Sequence, residues 1–325
     1  MHLGGPDRSR GFPPDASWSS TWNDGTDARA FGRPIMKLPP ALLGILLWFN
    51  VGLAAESSKV LEALIIKQDL KDSSAEIQLL GPSGEPRQTS TNKIKLSSGD
   101  NSISWKGRRA RFEINASVDP ELALRMFPAE PEALRQIAEI TDALHLETMD
   151  KGRLVTRMPS ELVPNMALWD QTSKLVTKKD ILGTPLAINF IFTSCRNARM
   201  CPASTQAMKN LSDLLDKDAS LATVRLLSIT FDPENDSPGV LKAYADGYQI
   251  NPQRHRFLTG DPGQIKDLMK HYGILTVRDD GTIVHNAALI IVSAEGRIVR
   301  RKEGAVFDAT EVAQIFTQML APARK

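Results

Sequence analysis

Asn189-Phe-Ile-Phe-Thr-Ser-Cys-Arg-Asn-Ala-Arg-Met-Cys-Pro202 decides the fold, because here an apolar strand runs out, a short polar loop carries two thiols, and a helix begins. Cys195 and Cys201 are the only 2 cysteines in a chain of 325 residues. Proline is favoured at the first helical position, so Pro202 places Cys201 at the expected N-cap and leaves Cys195 at the strand end. Backbone N–H groups at a helix start lack partners and favour an anionic sulfur. With Arg196 and Arg199 in the loop and no acidic residue among them, a lowered thiol pKa is expected.

Strand and helix signals alternate from here to the C-terminus. Ala187 to Phe192 is a continuous apolar strand, Pro202 to Leu215 a helix, and Val224 to Phe231 a second buried strand. Ser237 to Tyr248 reads as a helix, Arg256 to Leu258 as a short strand and Pro262 to Tyr272 as another helix. Two strands, Ala287 to Val292 and Arg297 to Lys302, join at Glu295-Gly296, and a last helix runs from Ala309 to Leu320. Such a pattern describes an α/β, thioredoxin-like sandwich over residues 160–325, with the cysteines after its first central strand.

A small β-rich region of unassigned role precedes it, within residues 56–155. Lys59 to Leu70 is apolar at helical or strand spacing, Ala75 to Leu80 and Asn92 to Leu96 are short strands, and Ile103 to Ile114 reads as a strand pair. Turns fall at Gly81-Pro-Ser-Gly-Glu-Pro86 and Ser97-Ser-Gly-Asp100. Leu134, Ile137, Ile140 and Leu144 recur at three- and four-residue steps, giving an amphipathic helix from Pro131 to Leu146. Residues 147–162 read as a connector.

Residues 1–35 are rich in Gly, Pro, Asp, Arg and Trp without periodicity and read as a non-native or disordered leader ahead of Met36. Residues 36–55 have the make-up of a signal peptide: Lys37, then an apolar stretch from Ala41 to Val51, then small residues at Gly52-Leu53-Ala54. Cleavage is expected after Ala54 or Ala55 and the product in the periplasm, with an uncleaved segment serving as membrane anchor as the alternative. Forty basic residues nearly balance 38 acidic ones, a net charge of +2, so nothing points to nucleic acid as a partner.

The CxxxxxC spacing cannot place both sulfurs on one helix face, since six steps of about 100° separate them around the axis. The loop must fold back, after which the sulfurs can form a disulfide or bind one metal ion. A structural staple is weakly motivated, because closing so short a loop removes little chain entropy. A metal site wants a third ligand, and the chain has 5 histidines. His2 lies in the leader, while His145, His255 beside Arg254 and Arg256, and His271 at a helix end all read as structural. His285 differs, because it immediately precedes the strand Ala287 to Val292, on the sheet edge that faces the cysteine loop in such a fold. Cys195, Cys201 and His285 would form a soft site suited to Cu(I) and able to hold Cu(II).

Five ordered motifs carry a family resemblance. They are Val163-Pro-Asn-Met-Ala-Leu-Trp-Asp170, the cysteine segment with Cys201-Pro202, Leu227-Ser-Ile-Thr-Phe-Asp-Pro-Glu-Asn-Asp-Ser-Pro-Gly-Val-Leu-Lys-Ala-Tyr244, Phe257-Leu-Thr-Gly260 and His285-Asn-Ala-Ala-Leu-Ile-Ile291. Over about residues 160–320 the chain resembles the Sco/SenC family. That resemblance implies a thioredoxin fold binding a copper ion through Cys195, Cys201 and His285. It implies delivery of copper to the binuclear site of cytochrome c oxidase or another copper-acceptor protein, or reduction of that site's thiols. The family's usual spacing is CxxxC, and this chain matches a divergent subgroup with CxxxxxCP. Val284 stands where the family often has an aspartate. Asp232, in the Asp232-Pro233 motif, reads as structural or partner-facing.

Some relatives of that subgroup carry a copper-binding β-barrel with histidine, methionine and tryptophan ligands. Residues 56–144 contain no histidine, and Trp105 and Met126 read as packing residues. Two other readings compete for the thiols. One is a periplasmic thiol-disulfide oxidoreductase using Cys195 and Cys201 as a redox pair with an exchange partner. The other is a peroxide-reducing thiol enzyme with Thr193 and Arg196 beside Cys195.

Overall fold

The computed structural model describes residues 58–87, 90–151, 160–279 and 282–321. The leader and signal-peptide readings, residues 1–55, lie outside these. No described helix is long and apolar enough to cross a membrane.

The N-terminal region is a closed barrel. Strands β1 (Ser58–Asp69), β2 (Ser74–Leu79) and β3 (Asn92–Lys95), a single-turn helix α1 (Ser98–Asn101), and strands β4 (Arg109–Asn115) and β5 (Asp119–Pro128) follow in chain order. The sheet closes as β1-β2-β3-β5-β4, which leaves no free strand edge. Leu61, Ala63 and Ile65 point inward at the strand period of two. A bulge after Ile65 shifts the register. Gln68 then ties the barrel end: its Nε2 donates to the carbonyls of Asn101 and Ile103 at 3.1 and 2.9 Å, and its Oε1 accepts from the Trp105 N–H at 3.0 Å. Trp105 and Met126 are fully buried in this core, the packing role expected of them.

Two expectations fail here. Residues 97–100 are not a simple turn, because the Ser97 hydroxyl accepts from the Asp100 N–H and nucleates α1. Ile103 to Ile114 holds one strand rather than a pair: Gly107, at φ +79°, turns the chain before β4, and the antiparallel partner is β5, which begins at Asp119.

Helix α2 (Pro131–Thr148) leads to the second layer system. Strands β6 (Ala167–Asp170) and β7 (Leu175–Thr177), the turn of helix α3 (Lys178–Ile181), strand β8 (Leu186–Ile191), helix α4 (Cys201–Asp216), strand β9 (Arg225–Thr230), helix α5 (Pro238–Gly247), strand β10 (His255–Thr259) and helix α6 (Pro262–Tyr272) follow. A hairpin of β11 (Thr276–Asp279) and β12 (Thr282–His285), then β13 (Ala288–Val292), β14 (Ile298–Glu303) and helix α7 (Ala309–Leu320), complete the chain. The main sheet runs β14-β13-β8-β9-β10-β6-β7, with β8, β9 and β10 parallel. This is the mixed α/β, thioredoxin-like half preceded by a β-rich region.

Alternate residues of the central strands feed two cores. Ala187, Leu226, Leu289 and Ile291 pack with Met208 and Leu211 of α4 and Val312 and Phe316 of α7. Ile188, Phe190, Leu227, Ile229 and Ile290 pack on the opposite face with Leu241 of α5 and Leu268 of α6. Burial on both faces is why these strands read as unbroken apolar runs. Helix α2 covers β6 through Ile137 against Ala167 and Trp169. Its polar side meets α6: the Gln264 Nε2 donates to Thr141 Oγ1 at 2.6 Å, and Asp267 binds His145 at 2.9 Å and Thr148 at 3.0 Å.

The barrel meets the sandwich backbone to backbone. A Cβ added to Gly99 would lie 1.9 Å from the Gly239 carbonyl oxygen, and one added to Gly239 would lie 2.1 Å from Asp100 Oδ1. Asp100 is sealed into this contact at 2% exposure, and its Oδ1 has no hydrogen-bond partner among the described residues. Burial pushes its carboxyl pKa up to about 6, against the opposing bond from Ser97. A folded pKa above the unfolded 3.8 means that the folded chain holds the proton more tightly. This favourable contribution is present in full below about pH 4 and is lost as pH rises through about 6. Asp100→Asn is therefore expected to stabilise the protein at pH 7.5 by up to about 3 kcal/mol, and far less at pH 4. Thermal denaturation at the two pH values checks this; equal shifts at both would contradict it.

Candidate metal centre

Strand β8 delivers the chain to the site. It ends at Ile191, so Cys195 sits four residues into the loop rather than at the strand end, with its N–H on the Phe192 carbonyl at 3.4 Å. The loop folds back about Asn197. Its Oδ1 accepts the Arg199 N–H at 3.0 Å, and its carbonyl accepts the Met200 N–H at 2.9 Å and the Cys195 thiol at 3.8 Å. Helix α4 then begins with Cys201 itself, and Met200 occupies the N-cap expected for Cys201.

Cys201 is 1% exposed, and Cys195 is half-buried. Burial drives the Cys201 thiol pKa strongly up, the reverse of the sequence expectation. A backbone hydrogen bond at Phe192 opposes the rise, while Cys195 and Asp236 add to it. Arg196 and Arg199 are exposed and are not among the causes, so two charges close in sequence do not reach this sulfur.

His285 arrives from the other side. It ends β12 of a separate two-stranded hairpin, opposite Thr276, rather than leading straight into the sheet strand β13. Its Nδ1 lies 2.8 Å from the Asn286 carbonyl oxygen, which can only accept. Nδ1 therefore carries the proton, and Nε2 presents a lone pair to Cys201 Sγ at 3.4 Å, where the thiol donates. The ring is half-buried against Phe231 at 4.6 Å and Phe192 at 5.9 Å between centroids, and that burial lowers its pKa. The ligand atoms of Cys195, Cys201 and His285 all lie within 4.8 Å of one another.

That geometry fits one soft ion. Metal–sulfur distances of about 2.3 Å and metal–nitrogen distances of about 2.0 Å in a trigonal arrangement put donors about 3.7–4 Å apart. The observed spread needs only sub-ångström adjustment. The outer ring nitrogen is already anchored on a backbone carbonyl, the support that fixes a ligating histidine.

The other three described histidines stay out of the site. His255 is fully buried with Nε2 on Ser228 Oγ at 2.7 Å, His145 binds Asp267, and His271 is buried in α6. Asp232, 3% exposed in its side chain, accepts from Arg278 of β11 at 3.1 Å. The Thr193 hydroxyl is bound to Asp236 and the Cys195 thiol to the Asn197 carbonyl, so the two do not pair as a peroxide-reducing site would need.

Asp236 is a site residue that the sequence reading passed over. Fully buried, it takes the Thr193 N–H at 3.1 Å, the Thr193 hydroxyl and the Thr230 hydroxyl at 2.5 Å. It thereby ties the exits of β8 and β9 together. The hairpin was passed over too, although Asp280-Gly281 between Thr276-Val-Arg278 and Thr282-Ile-Val284 is a strong turn signal. Asp236→Ala would strand three donors. It is expected to destabilise the fold by about 2–4 kcal/mol and to speed alkylation of Cys195. Denaturant melts and timed thiol labelling measure both effects, and unchanged labelling would remove Asp236 from the support of the loop.

The SCO1/SenC family pattern matches residues 155–321. A "SCO1 protein homolog" of Bacillus subtilis is 29% identical over 139 residues, 42% of this chain and 70% of its own length. A mitochondrial SCO2 homolog of Danio rerio is 28% identical over 138 residues, 41% of this chain and 48% of its own length. The solved structure of Bradyrhizobium japonicum ScoI with copper bound superposes with a TM-score of 0.43 at 27% identity, covering 49% of this chain and 99% of that one. The matched stretch thus spans about half of the zebrafish relative, and the barrel lies outside the family match.

Proposed function

The chain belongs to the SCO1/SenC family, and we propose from that premise that it binds a copper ion through Cys195, Cys201 and His285 as a metallochaperone. The observation that carries this reading is the convergence of two thiols and an imidazole whose tautomer is already set for ligation. Two sulfurs and one nitrogen favour Cu(I) and tolerate Cu(II). Copper is here the cargo, and the chain's own groups hold and release it. Binding displaces the proton that Cys201 shares with His285, and the half-buried Cys195 gives an acceptor its point of access. The acceptor we propose is the copper site of cytochrome c oxidase, or another copper-acceptor protein, by family membership. The activity is assigned to the periplasm on the strength of the signal-like segment Met36–Ala55.

A second reading has its own observation. Both thiols are free and lie within 4.8 Å of each other, close enough for a Cys195–Cys201 disulfide after a small loop movement. Thiol-disulfide exchange would then prepare the acceptor's cysteines.

Reduced full-length protein is expected to bind about one copper per chain. Cys195→Ser should abolish tight binding, while His285→Ala should weaken it by at least about 10-fold, the cost of losing even an outer-shell partner, and leave the disulfide able to form. Metal analysis with chelator competition measures the first two, and thiol titration the third. Unchanged copper affinity in His285→Ala would rule out the three-ligand site, and absence of copper in the reduced wild type would leave exchange as the function.

A further inference from the structure

One short loop touches both the His285 side and the cysteine-loop side of the site. The segment Phe231-Asp-Pro-Glu-Asn-Asp-Ser237 connects β9 to α5. Phe231 packs on the His285 ring. Asp232 and Glu234 accept from Arg278 of the hairpin that carries His285, at 3.1 and 3.3 Å. Asp236 holds Thr193 at the entry to the cysteine loop.

The same loop is where the barrel bears on the sandwich. Arg125 of β5 donates to the Glu234 carbonyl at 3.3 Å while pairing with Glu113 of β4 at 2.8 Å. Its backbone is held at φ +52°, a left-handed conformation that a side chain adopts only where its surroundings impose it. At the far end, Gly99 and Asp100 press on Gly239 in the first turn of α5. Exposed ion pairs alone are worth little. The backbone contact at Gly99 and Gly239 has no slack, so a displacement of the barrel must move the start of α5 and the loop before it.

We propose that the barrel positions the metal centre: through Arg125 and Gly99 it fixes the loop 231–237, and through that loop and Arg278 it fixes His285 against the two thiols. Arg125, Gly99 and Arg278 are positioning residues, none of them belonging to the candidate ligand set. The barrel thereby gains a role, although it lies outside the family match. The inference concerns the placement of His285, and its consequence for copper rests on the function proposed above.

The test reads placement directly, in reduced full-length protein without metal. The His285 imidazole lies between Phe192 and Phe231, so its ring-proton NMR shifts report small displacements. Arg125→Ala and Arg278→Ala are expected to move these signals, and the double variant to move them by less than the sum, since both act through Glu234. Arg125→Lys, which keeps the charge, should recover most of the shift. Copper affinity should fall about 3- to 10-fold in each single variant. Lys93→Ala, on the barrel surface and paired among the described residues with Asp72, is the control. Unmoved His285 signals in Arg125→Ala would overturn the proposal, as would an equal movement in Lys93→Ala. Arg125 is a surface residue, so its variants are expected to fold and keep the test valid. A wild type that bound no copper would defeat the metallochaperone reading and leave the NMR outcome to judge this one.

Discussion

A single buried carboxylate closes the working end of the sheet. Asp236 lies between the exits of β8 and β9 and accepts from Thr193 and Thr230, and burial raises its pKa against those bonds. Burying a carboxyl costs several kcal/mol unless its oxygens are satisfied, so the arrangement persists only while both strand exits stay in place. Because the central strands are covered on both faces, the chain can expose chemistry only where they end. The cysteine loop leaves from one exit, and the loop that supports His285 leaves from the other. The candidate metal site is in this sense a by-product of how two parallel strands are terminated.

Polar groups inside the sandwich follow the same economy. Ser204 on α4, Asn189 on β8, Ser228 on β9 and His255 on β10 form one hydrogen-bonded chain across the core. Burial lowers the His255 pKa to about 3, so the ring is neutral and can act as a fixed hydrogen-bond partner. Its structural role was readable from sequence, but for the wrong reason. The flanking Arg254 and Arg256 suggest a solvated basic loop, whereas Arg254 turns back to bind Asp216 at 2.8 Å and the carbonyls of Leu221, Ala222 and Val224.

Long-period signals were legible and local geometry was not. Helices α4 to α7 and strands β8, β9 and β13 announce themselves by apolar runs and caps such as Ser237 and Asp261, and they appear within about two residues of expectation. The three converging side chains were also readable, since a soft donor set needs a third ligand and only His285 stood on the right edge. Strand β5 was missed because Asp119-Pro120 reads as a breaker, although proline is tolerated near the start of a strand. The Cys201 pKa went the wrong way because sequence proximity to Arg196 and Arg199 says nothing about burial. A residue at the first turn of an amphipathic helix faces either solvent or core, and here it faces the core.

The spacing between the cysteines poses the last structural question. Five intervening residues would leave the sulfurs free to drift apart if the loop were extended, since each residue can add about 3.3 Å of reach. Asn197 removes that freedom: its side chain and its carbonyl capture two successive N–H groups, and the same carbonyl accepts the Cys195 thiol. The slack is wound into a turn, and α4 can start at Cys201 with its sulfur already buried beside His285. A longer spacing therefore does not by itself loosen the site. The added residues place Arg196 and Arg199 on the exposed side of the loop, and the three donor atoms still lie within 4.8 Å of one another.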